Sequence, residues 1–189
     1  MDRRELLALL AGAGLTGLAC RGDKPNPTVQ AARAGQPYQF KTLDAHQAAT
    51  VSVVGDCIIP TTDTPGATEA GVPEFIDVIV GEWYEPGERE QFLAGLADLD
   101  RRSASSGGRF IELNAEQQLA VLSEVESEAL AARTANPKAP APFWVRLKSL
   151  TVYGYYTSAA GTLQELDRPA IPGRFDGCEH LPAARPGAL

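Results

Sequence analysis

The apolar residues of this chain recur every three or four positions in a series of segments, the spacing of helices that bury one face. No segment alternates apolar and polar residues as a half-buried strand does. Stretches rich in proline and glycine separate the periodic segments. We therefore predict an all-α protein: a compact bundle of about five helices with an irregular C-terminal tail.

The first predicted helix runs from a cap at Thr42 or Asp44 to about Ile58. A following proline cannot continue the hydrogen-bond ladder and ends the helix. Cys57 stands beside two isoleucines near the end of the helix, which favours a buried and inert thiol. The next stretch, 61–71, consists of turn formers, and we interpret it as a structural loop.

The second predicted helix begins at Pro73, a residue that suits the first helical turn. Its apolar stripe extends as far as Trp83, and its acidic residues, Asp77 among them, are predicted to face solvent. A third helix is predicted over 88–102.

A fourth helix opens at Asn114, because Gln117 three residues later completes a capping box. Leu119 and Leu122 are predicted to point inward on this helix. Its glutamates, distributed around the helix, are interpreted as solvated charges.

The last predicted helix, 143–158, is apolar on nearly every face. A helix of this kind is normally buried. We therefore predict that it forms the core, covered by the amphipathic helices, and that the tail after it is left for a partner.

The N-terminus has the features of an export signal. Arg3 and Arg4 precede an apolar run of 14 residues, which is too short to span about 30 Å of hydrocarbon. The adjacent arginines favour a twin-arginine signal, with export to the periplasm or the outer face of the cytoplasmic membrane. Cys20 is a candidate for lipidation, although Gly17 occupies the place of the usual leucine; ordinary cleavage slightly further along is the alternative.

These features divide the chain into four predicted parts. They are a signal segment over 1–20, a flexible linker over 21–41, a helical domain over 42–160 and an irregular partner-docking tail over 161–189.

Composition points away from catalysis and from nucleic acid. The net charge of −7 argues against nucleic acid or an anionic membrane surface as the main partner. Three scattered cysteines and two histidines cannot form a self-contained iron–sulfur or zinc site. No serine elbow, Cys–His pair in a shared context, paired metal ligands or phosphate-binding glycine loop is present. We predict no catalytic, cofactor-binding or metal-binding residue.

Several short motifs occur in one order along residues 1–178. After the twin-arginine start come DCIIP at 56–60, DTPGA at 63–67, AGV at 70–72 with FID at 75–77, YGYYTS at 153–158 and PGRFDGC at 172–178. In this combination the chain resembles the gluconate 2-dehydrogenase subunit 3 family, the small subunit of flavin-dependent sugar and polyol dehydrogenases.

The resemblance implies an accessory subunit with no redox centre of its own. Its partner would be a large subunit of the glucose–methanol–choline oxidoreductase type that carries FAD, and a cytochrome c subunit with haem c would often be present. The small subunit would support folding of the large one and carry it through the twin-arginine translocase. The alternative is a free-standing exported helical protein with a binding or envelope-structural role; an independent enzyme ranks third.

The tail gains an interpretation from this resemblance. Arg174 and Phe175 become candidate partner contacts, and Cys178 becomes a candidate for a disulfide with the large subunit. A bridge from Cys178 to Cys57 and a free thiol are equally open alternatives. Non-reducing electrophoresis of the purified complex distinguishes the three.

Overall fold

The computed structural model describes residues 38–167, and the all-α prediction is confirmed for that part of the chain. Within residues 38–167 there are five α-helices, in chain order α1 (Ala45–Ile58), α2 (Val72–Val78), α3 (Pro86–Ser103), α4 (Ala115–Ala135) and α5 (Phe143–Thr157). The chain divides into two units, Met1–Gln39 and Phe40–Leu189, and all five helices lie in the second.

Shorter turns complete the described chain. A π-helical turn, Ile79–Trp83, continues α2, and a second, Ala160–Glu165, follows α5. Regular structure therefore extends past residue 160, where we predicted the irregular tail to begin. Two 3-10 turns, Ala104–Ser106 and Phe110–Glu112, connect α3 to α4.

Local capping fixes where α1 and α4 begin, as the sequence indicates. The carboxylate of Asp44 accepts a hydrogen bond from the backbone N–H of Gln47 at 2.8 Å, and the Gln47 side chain accepts from the Asp44 N–H at 3.0 Å. Asn114 and Gln117 form the same reciprocal pair at 2.9 and 3.1 Å. Each box satisfies backbone donors that have no partner within the helix.

Helix α5 lies at the centre of the packing, because it contacts each of the other four helices. Its buried side carries Trp144, Leu147 and Tyr155. Close approach of α3 depends on Gly95, where a Cβ atom would come within 2.1 Å of the Phe143 ring. The predicted core role of this helix is confirmed for the buried side.

The 61–71 loop is tied to both the first and the last helix. Its backbone N–H at Thr68 donates to the Asp56 carboxylate in α1 at 2.9 Å. From α5, the hydroxyl of Tyr155 donates to the carbonyl of Pro65 at 3.0 Å, so this fully buried tyrosine has its polar atom satisfied. The loop is structural, as predicted.

Asp77 was predicted to face solvent, and that prediction is wrong. The residue is 1% exposed, and its carboxylate accepts hydrogen bonds from the backbone N–H groups of Lys41, Thr42 and Leu43 at 2.9, 2.9 and 2.8 Å. Gly81 admits the same segment, since a Cβ atom there would lie 2.2 Å from the Thr42 hydroxyl oxygen. We call this contact the Asp77 clasp; it attaches the chain before α1 to α2.

Three apolar positions predicted to be inside are exposed. Trp83 lies in the π-helical turn, whose wider spacing takes it out of the stripe that 3.6 residues per turn would give. Leu119 is 59% exposed because Gln118, which donates to the carbonyl of Phe110 at 3.2 Å, turns inward beside it. Cys57, predicted to be buried, is exposed in the last turn of α1.

Asp77→Asn should lower the free energy of unfolding by about 2–3 kcal/mol, because the amide keeps the side-chain shape but presents N–H donors to backbone donors. The midpoint of urea unfolding measures the loss. Asp44→Asn is the matched control: both residues suit an N-cap, so its effect should stay below about 0.5 kcal/mol. Equal small losses at the two sites would show that the clasp does not hold the fold.

Candidate partner-binding surface

Among the described residues, no three His, Cys, Asp or Glu side chains are grouped so as to hold a metal ion. No helix within 38–167 combines the length and apolarity needed to cross a membrane. The most distinctive feature of this part of the chain is instead an exposed aromatic surface on α5.

This surface is the exposed side of α5. It surrounds a shallow depression of about 470 Å³, and its residues belong to one helix alone. We call it the tyrosine face; it consists of Lys148, Ser149, Val152, Tyr153, Tyr156 and Thr157. Helix α5, which is apolar all round, thus has one side in the core and one side exposed. The prediction that the whole helix is covered is wrong for the exposed side.

The aromatic rings of the tyrosine face are held by their neighbours. Tyr153 is 62% exposed, and its ring lies against that of Phe75 from α2 with centroids 5.9 Å apart. Tyr156 lies edge-on to the buried Tyr155 at 5.2 Å. Aromatic side chains fixed in this way offer contact area at a small loss of conformational entropy on binding.

Tyr156 is also held by a hydrogen bond to the turn after α5. Its hydroxyl donates to the Glu165 carboxylate at 2.7 Å. This bond, followed by burial and the nearby negative charge, raises the pKa of Tyr156 to about 12. The bond therefore ties the Ala160–Glu165 turn to the tyrosine face.

The same turn is attached to the end of α5 through Ser158. The Ser158 hydroxyl accepts from the N–H of Gly161 at 3.1 Å, and the Ser158 carbonyl accepts from the N–H of Thr162 at 3.0 Å. Two exposed leucines, Leu163 and Leu166, lie on and just after this turn. They add exposed apolar area to the segment that follows the helix.

A second, smaller depression lies where α1, α4 and α5 meet. Its volume is about 190 Å³, and it shares Lys148 with the tyrosine face. Cys57 lines it. Although the residue as a whole is exposed, partial covering of the sulfur, and secondarily the charge of Asp56, raise the pKa of the Cys57 thiol. The protonated thiol is therefore favoured, and it is a weak nucleophile.

The site residues predicted from the sequence lie outside the described residues, so the structure neither brings them together nor separates them. They are Arg3, Arg4, Cys20, Arg174, Phe175 and Cys178. The tyrosine face was missed as a surface. A signal for it was present, since the all-round apolar pattern exceeds what one buried side of a helix requires.

Comparison with known proteins adds one positive result. A family model described as gluconate 2-dehydrogenase subunit 3 matches residues 45–173, more than half of the chain. The match begins at the first residue of α1 and includes every helix described above. No curated protein and no solved structure matches the chain.

The pKa of Tyr156 predicts how the turn responds to alkali. A phenol whose folded-state pKa is raised contributes stability that is complete below its ordinary value near 10 and is lost as the pH rises to about 12. Glu165→Gln should move the Tyr156 titration to lower pH, measured by tyrosinate absorbance. Tyr156→Phe is the control that identifies the late component; if the parent and this variant titrate identically above pH 10, the bond is absent.

Proposed function

The chain belongs to the gluconate 2-dehydrogenase subunit 3 family, and on that premise we propose that it is the non-catalytic small subunit of an exported FAD-dependent dehydrogenase complex. The family is a subunit of a multi-subunit dehydrogenase, so partner subunits follow from membership. The large subunit in our proposal is of the glucose–methanol–choline type. The small subunit supports its folding and its export.

The observation that carries this proposal is the tyrosine face. The central helix of this small domain leaves Val152, Tyr153 and Tyr156 exposed. Neighbouring aromatic side chains hold the two tyrosine rings in place. Tyrosine is enriched at protein interfaces, where the ring is buried and the hydroxyl keeps a polar partner. We assign the tyrosine face to contact with the large subunit.

Cofactors belong to the other subunits in this proposal. FAD is carried by the large subunit, and haem c by a cytochrome subunit where one is present. The role of this chain is contact, which agrees with an exposed apolar surface and a thiol whose raised pKa disfavours nucleophilic chemistry.

The termini take their roles from the same proposal. Arg3 and Arg4 form the one twin-arginine signal for both subunits, which directs the folded pair to the periplasm or the outer face of the cytoplasmic membrane. Cys20 is the candidate lipid attachment site. Arg174, Phe175 and Cys178 follow the tyrosine face in the chain, and we assign them to the same partner, with Cys178 as the candidate intersubunit disulfide.

The escort role is tested by replacing Arg3 and Arg4 together with lysine. We expect the large subunit's dehydrogenase activity to remain in the cytoplasmic fraction, because the twin-arginine pathway reads the arginine pair. The matched control replaces Arg101 and Arg133, two exposed arginines of the helical domain, and should leave export intact. Normal export of the large subunit in the first variant would refute the escort role and favour a free-standing exported protein.

Docking on the tyrosine face is tested by Tyr153→Ser. A tyrosine at a binding hot spot contributes about 2 kcal/mol or more, and with Tyr153 in that role we expect the dissociation constant of the two subunits to rise by about thirtyfold. Leu130→Ser is the matched control, because Leu130 is equally exposed, at 66%, on α4. Urea unfolding of each isolated variant separates loss of binding from loss of folding. Unchanged affinity in Tyr153→Ser would place the interface elsewhere.

A further inference from the structure

Trp83 is the most exposed large apolar side chain within residues 38–167, at 74%. It ends the π-helical turn Ile79–Trp83, and that turn is fixed from two sides. The guanidinium of Arg89 donates to the carbonyls of Val80 and Gly81 at 3.0 and 2.5 Å. On the other side, Gly81 lies against Thr42 of the Asp77 clasp. The backbone of the turn that carries the exposed indole is therefore held in place.

The residues on either side of this tryptophan in the sequence are mainly acidic. Residues 82–90 contain four glutamates and one arginine, a sum of −3, and the arginine is turned inward to the carbonyls. Glu85 and Glu88 form the capping box of α3, and one carboxylate oxygen of Glu88 also lies 3.7 Å from the guanidinium of Arg146 in α5. The side chain of Glu82, which precedes Trp83 in the chain, is exposed and makes no hydrogen bond or ion pair with any described residue. We call Trp83 with Glu82, Glu85 and Glu88 the acidic corner.

We propose that the acidic corner binds an arginine- or lysine-bearing segment of a partner subunit. An indole face attracts a guanidinium or ammonium group, and arginine pairs of this kind are the more frequent. The glutamates strengthen that attraction and orient the approach of a cationic segment.

The same charges disfavour the other ligands that an exposed tryptophan could meet. Nucleic acid and anionic lipid headgroups are repelled by the glutamates. A purely apolar partner would have to cover carboxylates that it cannot satisfy, which costs free energy. The corner also differs from the tyrosine face, whose one charged residue is Lys148. The two surfaces therefore suit different parts of a partner.

Cation binding at the corner is tested on the full chain with a dye-labelled tetra-arginine peptide, followed by fluorescence anisotropy at low salt. We expect saturable binding that Trp83→Ser and Glu82→Gln each weaken by about three- to tenfold. Leu130→Ser and Glu124→Gln are matched controls at exposed positions of α4 and should leave the affinity unchanged. If the control variants weaken binding as much, the affinity for the peptide depends on the net charge of the chain and not on the corner, and the proposal is overturned.

The assignment of the cationic segment to a partner subunit rests on the proposed function, whereas cation binding by the corner does not. A second measurement tests that assignment. In the purified complex the corner should be occupied, so the peptide should bind at least tenfold more weakly than to the isolated chain. Equal affinities would overturn the assignment to a partner subunit. Failure to isolate any complex would refute the proposed function and that source, whereas the result on the isolated chain would stand.

Discussion

The carboxylate of Asp77 gathers three backbone N–H groups from residues 41–43, and the arrangement of the first two helices depends on that contact. Burying a carboxylate is costly unless its charge is compensated by hydrogen bonds. Charge-assisted bonds to three donors provide the compensation. The clasp thus fixes the chain immediately before α1 near the C-terminal end of α2, while the 61–71 loop connects the same two helices at the other end of α1.

Helix α2, which the clasp holds in position, contributes to both proposed binding surfaces. On one side its Phe75 lies against Tyr153, so the position of α2 helps to orient the tyrosine face. At its end the π-helical turn presents Trp83 to solvent, with Gly81 seated on Thr42 of the clasp. One short helix therefore joins a buried charge, an apolar surface and an acidic surface. Loosening the clasp should disturb all three.

The sequence predicted the features that depend on residues close together in the chain. It did not predict the features that depend on contacts between residues far apart in the chain. The helix class and the starts of α1 and α4 follow from apolar spacing and from the Asp44 and Asn114 caps, whose partners lie three residues away. The inward turn of Asp77 depends on donors 34 to 36 residues earlier, which no periodicity reveals. Trp83 was misplaced because a stripe drawn at 3.6 residues per turn does not anticipate a π-helical turn. Short motifs in a fixed order identified the family, which spacing alone could not have done.

Partner binding and folding of this subunit are linked through α2. In the proposed complex, a large subunit that contacts the tyrosine face or the acidic corner binds only a folded chain. Tyr153 of the first surface packs against Phe75 of α2, and Trp83 of the second ends the turn that continues α2. Any ligand that binds the folded state alone raises its stability by mass action. On the proposed function, this linkage means that the small subunit must fold before it can act as an export escort. An unfolded small subunit offers no docking surface. The signal at Arg3 and Arg4 is therefore joined to the catalytic subunit only after the helical domain has folded. A pathway for folded cargo requires this order of events.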